Sequence, residues 1–386
     1  MSFELKALKD ICTIQIGKTP SRHESDYWRD GTHAWLSIAD MNQGRYLNNT
    51  KEYITDLGVK ASNIKLIPKN TLVLSYKLSI GKVGITQKPM YTNEAIASLT
   101  ELDSQVDINY LYWALQHIDL LENADRAAMG KTLNKAKLSE VKIPLPPLAE
   151  QRRIASILDQ ADELRQKRQQ AIEKLDQLLQ ATFIDMFGDP VSNPKGWDKE
   201  KMDTLMTIVR GGSPRPIENF LGGTYPWIKI GDATKGDDLF ITKTKEAITE
   251  EGLHKTRLLP EGSVIFANCG VSLGFARILK IQGCIHDGWL AFQDISENKI
   301  HKLFLLKALN SITQYFRDTA PDGTQPNLNT AIMKNFELII PPMDLQLKFI
   351  AIVESIVKQK KILETSNTEV SNLFKSLQNQ AFNGTL

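Results

Sequence analysis

The chain says nearly the same thing twice, about 193 residues apart, and a fold for it must accommodate that duplication. Gly17-Lys-Thr-Pro20 returns as Gly211-Gly-Ser-Pro214, 194 positions later. Trp35-Leu-Ser-Ile-Ala-Asp40 returns as Trp227-Ile-Lys-Ile-Gly-Asp232, and Ile67-Pro-Lys-Asn-Thr-Leu-Val73 as Leu259-Pro-Glu-Gly-Ser-Val-Ile265, both at 192. Ser79-Ile-Gly81 answers to Ser272-Leu-Gly274 at 193. Leu133-Asn134, Pro146-Pro147 and Gln151 answer to Leu328-Asn329, Pro341-Pro342 and Gln346 at 195. Anchors in one order with a drift of three positions describe a tandem pair of similar units rather than a chance motif.

Each copy divides in two. Its first part mixes short β-rich runs such as Thr71-Leu-Val-Leu-Ser75 with Gly, Pro and Asn punctuation and one helical patch, Asn109 to Leu121, which predicts a small α+β domain. Its second part opens at Pro146-Pro147 and runs from Leu148 to Phe187 without Gly or Pro, which predicts one long helix. Ile154, Ile157, Leu158, Ala161, Leu164, Ala171, Ile172, Leu175, Leu178, Leu179 and Phe183 recur three and four apart and form one stripe. After Pro341-Pro342 the stripe recurs as Phe349, Val353, Ile356, Leu363, Val370, Phe374 and Leu377, with polar Lys360 and Asn367 in two seam positions, where such residues set register. A helix of roughly 60 Å at about 1.5 Å per residue outruns a domain of this size, so the two long helices are predicted to pack antiparallel on each other. The expected boundaries are 1–145, 146–190, 191–340 and 341–386.

Chemistry is sparse. Cys12, Cys269 and Cys284 form no C-x-x-C pair, which argues against a disulfide framework or structural zinc and for a reducing compartment. Gly17-Lys-Thr resembles the end of a phosphate-binding loop, but the first glycine of that motif would fall on Cys12. The six histidines lack metal-ligand spacing. His286-Asp287 aligns with Asn93-Glu94, so it reads as a strand-end hydrogen bond. Glu140-Val-Lys142, matched by Asn335-Phe-Glu337, reads as strand rather than a nuclease motif. The opening residues carry no apolar signal core and no run reaches about 18 apolar residues, so a cytoplasmic protein is expected, with no membrane partner.

A net charge of +2 excludes a tail-driven polyanion binder, but charge is unevenly placed. Residues 57–93 hold Lys60, Lys65, Lys69, Lys77, Lys82 and Lys88 and no acid; residues 126–139 hold Arg126, Lys131, Lys135 and Lys137 and no acid. Lys255, Arg257, Arg277 and Lys280 are a weaker counterpart in the second copy. Lysines beside Gly, Ser, Thr and Asn suit phosphate contacts. Two similar domains at a fixed spacing suit two short duplex sequences on one face of the DNA.

The run Ile143-Pro-Leu-Pro-Pro-Leu-Ala-Glu-Gln-Arg-Arg-Ile-Ala-Ser-Ile-Leu158, continuing to Phe183-Ile-Asp-Met-Phe-Gly-Asp-Pro190, resembles the central helix of the specificity subunits of type I restriction-modification systems. Gly323-Thr-Gln-Pro-Asn-Leu-Asn329 adds to the resemblance; Gly130-Lys-Thr-Leu-Asn134 is shorter and lacks the Gln, and the distal helix has Leu347-Lys348 in place of the Arg-Arg pair. The resemblance implies an α+β fold with two similar α/β target-recognition domains (1–145 and 191–340), separated by two long antiparallel spacer helices in a pseudo-twofold repeat. It implies a non-catalytic subunit that reads a bipartite duplex DNA target and recruits two adenine-N6 methyltransferase subunits and the restriction/translocase subunits. No cofactor is then expected in this chain, the partners using S-adenosylmethionine, ATP and Mg. A specificity chain for a fused methyltransferase-nuclease and a two-domain protein scaffold are alternatives. The expected DNA contacts are Lys18, Thr19, Arg22, Ser37, Lys77, Ser79, Lys82, Lys131, Thr132 and Asn134 in the first copy, and Arg210, Ser213, Arg215, Lys229, Asn268, Ser272, Thr324, Gln325 and Asn327 in the second.

Overall fold

The computed structural model describes residues 3–77, 79–120, 125–127, 130–234, 239–320 and 327–386. The chain forms two compact units: residues 1–169 together with 365–386, and residues 170–364. Both long helices, Leu148–Phe187 and Met343–Asn383, therefore contribute to both units.

In the first unit a five-stranded sheet runs Thr13–Ile16, Ile96–Thr100, Leu72–Ser75, Val83–Thr86, Tyr46–Leu47. The first four are antiparallel neighbours and the last is parallel. The second unit repeats that order with Thr207–Arg210, Trp289–Gln293, Val264–Ala267, Ala276–Leu279 and Phe240–Ile241. Beside it in the first unit lies a three-stranded sheet, Glu52–Ile54, His33–Leu36, Tyr91–Thr92. The second unit has Glu246–Ile248, Leu221–Ile228 and Gly283–Ile285 in that order, and extends the sheet with Arg257–Leu259.

The central strand of each five-stranded sheet is buried on both faces, because strand residues alternate sides and both sides are covered. Leu72 and Leu74 join the core that holds helix Ile108–His117, whereas Val73 points into a second cluster with Leu36, Leu47 and Ile96. Val264 and Phe266 divide from Ile265 and Ala267 in the same way. The helical patch expected at Asn109–Leu121 begins one residue earlier and ends at His117, capped by Asp107, whose carboxylate accepts from the Asn109 and Tyr110 amides. Lys142–Pro144 and Glu337–Ile339 are strands, while Glu140 caps the short helix before the first of them.

Within the first unit, Ile154, Ala155 and Leu158 of the central helix share a core with Phe374, Ala381 and Phe382 of the distal helix. Arg168 bonds Ser366, and Asn367 Nδ2 donates to Gln169 Oε1 at 3.4 Å. Within the second, Leu179, Phe183 and Phe187 meet Phe349, Val353 and Ile356, and Lys360 Nζ reaches Asp176 at 2.8 Å. The two segments run antiparallel in each unit, and both polar seam residues meet polar partners on the facing helix. Leu164 and Leu178, both in the apolar stripe, are 46% and 53% exposed, because the covered arc of the helix is narrower than its apolar arc.

The head of each long helix is joined to its unit by one buried glutamine. Gln151 Oε1 accepts the Asp107 amide at 2.9 Å, and its Nε2 donates to Gln105 O and Pro146 O, both at 2.8 Å. Gln346 makes the same three bonds with His301 N, Lys299 O and Pro341 O at 2.9, 2.9 and 2.8 Å. Both side chains are 0% exposed. The repeated Pro-Pro-x-x-x-Gln pattern is thus a joint: the prolines start the helix and the amide satisfies the backbone groups around it.

Candidate nucleic-acid interface

The repeated glycine loop lies against the turn before the long sheet strand. In the first unit Gly17 N–H donates to Ile96 O at 3.1 Å and Lys18 N–H to Thr92 O at 2.8 Å. A β-carbon at Gly17 would stand 2.1 Å from Thr92 O, and one at Gly211 would stand 2.3 Å from His286 O, so both sites require the bare backbone. The residue before each proline then latches the loop with its hydroxyl. Thr19 Oγ1 donates to Glu94, and Ser213 Oγ donates to Asp287 Oδ1 at 2.8 Å.

The Trp-x-x-x-x-Asp anchor is a second duplicated clamp. Asp40 accepts the Ser37 amide at 2.9 Å, the Ser37 hydroxyl at 2.7 Å and the Lys51 amide at 3.1 Å. Asp232 accepts the Lys229 and Lys245 amides at 2.9 and 3.2 Å. These anchors hold the shape of the loops, and the residues between them differ between the copies.

Arg22, Lys18 and Lys82 project from the first unit's loops. Arg22 donates through both terminal nitrogens to Glu52, one bond measuring 3.0 Å, and its guanidinium sits 3.7 Å from the Trp28 ring centroid. Lys18 Nζ donates to Ser62 O at 3.1 Å, and Lys82 Nζ to Asn42 Oδ1 at 2.7 Å. Lys77 lies over the Tyr76 ring, and the Ser79 carbonyl accepts from the Ser75 hydroxyl. In the second unit Arg210 Nε donates to Asp287 O at 2.9 Å, Arg215 approaches Asp287 Oδ2 at 3.6 Å, and Lys229 pairs with Glu246 at 2.5 Å. Burial raises the Asp287 carboxyl, but the Ser213 hydrogen bond and the neighbouring His286, Arg215 and Arg210 charges outweigh it and hold the group below its usual value. A cavity of about 520 Å³ opens here, lined by Ser213, Arg215, Trp227, Lys229, Glu246 and His286 among others.

Other expected contacts serve the fold. Asn268 is 0% exposed; its Nδ2 braces Asn327 Oδ1 at 3.1 Å and Leu328 O at 3.2 Å, so it positions exposed Asn327 rather than reaching a base. Asn134 Oδ1 caps the helix Lys135–Ser139 through the Lys137 amide at 2.8 Å, as Asn329 caps Thr330–Asn335 in the second unit. Ser272 closes a one-turn 3-10 helix, Gly270–Ser272. The side chains of Lys131 and Thr132, and all of Thr324 and Gln325, lie outside the described residues. The acids that organise these loops are Glu52, Glu94 and Asp287; the last two stand in the aligned pair read from sequence as a strand-end hydrogen bond, while Glu52 and the partners of all three went unread, because they are 30 to 75 positions apart.

Nucleophile chemistry is suppressed where it could have arisen. Burial pushes the Cys12 and Cys284 thiols up to about 11. Among the described residues no group of three or more His, Cys, Asp or Glu is placed to hold a metal ion. Burial lowers His117, His286 and His301, and the last two accept backbone amides at Nδ1, from Gly288 at 2.9 Å and Leu303 at 3.2 Å. Protonation would replace each acceptor with a donor. The unfolded chain therefore binds more protons, so stability is retained above about pH 6.5 and falls as pH drops through the lowered folded values. We expect a lower melting midpoint at pH 5.5 than at 7.5. His301→Asn, which keeps an acceptor at the cap without a titrating ring, should reduce that difference.

Two like units present polar loops of different chemistry on one repeated scaffold, which defines an internally duplicated binding protein. The chain belongs to the type I restriction modification DNA specificity domain family, whose model matches residues 2–174 and again 194–372. The MjaIX type I restriction enzyme specificity subunit of Methanocaldococcus jannaschii is 27% identical over 92% of this chain and 87% of its own. The EcoR124I/EcoR124II specificity subunit of Escherichia coli is 31% identical over 42% of this chain and 41% of its own. In fold, the chain is similar to the S subunit from M. genitalium, with a TM-score of 0.55 at 17% identity over 99% of this chain and 96% of that one. It is also similar to a chain from a structural study of complex assembly in a type I R-M system, with a TM-score of 0.64 at 16% identity over 100% and 98%.

Proposed function

We propose that the chain is the non-catalytic DNA sequence-recognition subunit of a type I restriction-modification complex. One observation carries the reading: the same sheet order, glycine loop and aspartate clamp occur twice, and the side chains presented around them differ. A repeated scaffold with divergent loops suits two half-sites of unlike sequence on one duplex. Residues 1–145 and 191–340 serve as target-recognition domains, and 146–190 and 341–386 as the spacer that sets the distance between half-sites.

Exposed Leu164, Leu178, Ile184, Leu347, Ile362 and Leu373 on the two helices suit docking of two adenine-N6 methyltransferase subunits, with restriction/translocase subunits joining them. S-adenosylmethionine, ATP and Mg act in those partners, and the target adenine leaves the duplex to be methylated there. No helix among the described residues is long and apolar enough to cross a membrane, and a cytoplasmic site of action fits this role. Lys18, Lys77 and Lys82 are assigned to phosphates, and Arg22, Arg210, Arg215, Lys229 and Asn327 to base edges, with Thr19, Ser37, Ser213 and Ser272 shaping the loops between them.

Exchanging residues 1–145 for a recognition domain of different specificity tests the reading. Mapping adenine methylation across a genome should show one altered half-site and one unaltered. Alteration of both half-sites would overturn the two-reader model.

A further inference from the structure

In the first unit Arg22 is held between two indoles and a carboxylate on the solvent-facing loops. The Arg22 guanidinium lies 3.7 Å from the Trp28 ring centroid and 4.8 Å from that of Trp35, and the two indoles meet edge to face at 5.0 Å. Each indole N–H is fixed to the same loop, Trp28 to Ser21 O and Trp35 to Lys18 O, both at 3.0 Å. Both terminal nitrogens of Arg22 donate to Glu52, yet the pair stays open to solvent, the side chains being 49% and 40% exposed.

The repeat shows which part of this arrangement is common to the two units. Glu246 stands where Glu52 does, 194 positions on, beside Trp227 in place of Trp35. Its cation is not an arginine from the glycine loop but Lys229, which occupies the position of Ser37. The carboxylate is kept, and the donor it holds is changed from a planar fork on the glycine loop to a point charge at the end of the strand Leu221–Ile228. A kept carboxylate with a changed donor suits two readers of different bases.

We propose that Arg22 reads a guanine in the half-site bound by the first unit, with Glu52 holding the guanidinium in its reading geometry until DNA arrives. This rests on the DNA-reading function proposed above. A carboxylate offers two acceptors side by side, and so do O6 and N7 of guanine in the major groove, so one fork serves both. Stacking on Trp28 removes the rotamer freedom that a free arginine would lose on binding. The exchange is favourable because an exposed ion pair shifts an equilibrium by only about five-fold or less, whereas a bidentate guanine contact discriminates by about 5- to 150-fold. Adenine presents a donor at N6 in place of O6, so it repels one arm of the fork.

The test uses the full chain assembled with its methyltransferase subunits and duplexes carrying the methylated bipartite site. In the half-site assigned to residues 1–145, each guanine is replaced in turn by 7-deazaguanine, which lacks N7. We expect one position at which the native complex loses about 5- to 150-fold in affinity. Arg22→Gln should be insensitive to deazaguanine at that position and should shift its preference there toward adenine, leaving the other half-site unchanged. Glu52→Gln, which removes the charge that holds the fork in place, should reduce the guanine preference at that position and at no other. A half-site with no guanine on either strand overturns the proposal. So does an Arg22→Gln complex that still binds the bipartite site but is weakened equally on every duplex, or a Glu52→Gln complex whose guanine preference is unchanged or is altered equally at every position. A native complex that binds no bipartite duplex would overturn the DNA-reading function itself and this assignment with it.

Discussion

Replacing Gln151 with leucine should destabilise the first unit by about 2–5 kcal/mol, a large loss for a volume change this small. The substitution strands the Asp107 amide and the Pro146 carbonyl, which among the described residues pair with Gln151 at 2.9 and 2.8 Å, in a site closed to water. Each orphaned buried group costs roughly 1–3 kcal/mol, and leucine's added apolar burial offsets part of it. Gln346→Leu should do the same to the second unit through His301 N and Pro341 O. Amide hydrogen exchange distinguishes the two: each variant should lose protection at the helix head of its own unit, near 148–158 or 343–353. A loss below about 0.5 kcal/mol, within the range of ordinary surface substitutions, would show that water or backbone relaxation satisfies these groups and that the joint is not what holds the helix.

Shortening both long helices by one turn, about 5.4 Å, should change the spacing of the recognised half-sites by one or two base pairs at roughly 3.4 Å each, while both half-site sequences stay as they were. The cuts belong in the polar middle of the seam, away from Phe183, Phe187, Phe349 and Phe374, whose burial holds each unit together. Lys360 with Asp176 and Asn367 with Gln169 fix the register there, so the two deletions must be matched. Genome-wide methylation reads the result. Altered half-sites with an unaltered spacer would rule out the helices as the ruler.

The long helix Leu148–Phe187 was legible to the residue, because a Pro-Pro start and forty positions without Gly or Pro leave one local solution. The polar seam residues were legible too, since a heptad interrupted at Lys360 and Asn367 calls for polar partners on the facing helix. Leu164 and Leu178 belong to the apolar stripe but are exposed, because periodicity marks an apolar arc and says nothing about how much of it a neighbour covers. Asn268 was expected at the DNA surface on residue type alone. It lies inside because its amide is needed to pair Asn327 and Leu328, sixty positions away.

By itself, then, the sequence determined the duplication, the alternation of sheet-rich and helical parts, the two long helices and the family. These are properties of local pattern and of pattern repeated, and neither requires knowing which distant segments touch. Tertiary structure alone decided that the C-terminal segment 365–386 completes the first unit, that Gln151 and Gln346 are joints, and that Glu52, Glu94 and Asp287 organise the reading loops. The first is an apolar contact of Phe374, Ala381 and Phe382 with Ile154, Ala155 and Leu158, and the others pair polar groups up to 75 positions apart. Such a pair forms only after the sheets have brought its members within about 3 Å, and composition and spacing carry no record of that approach.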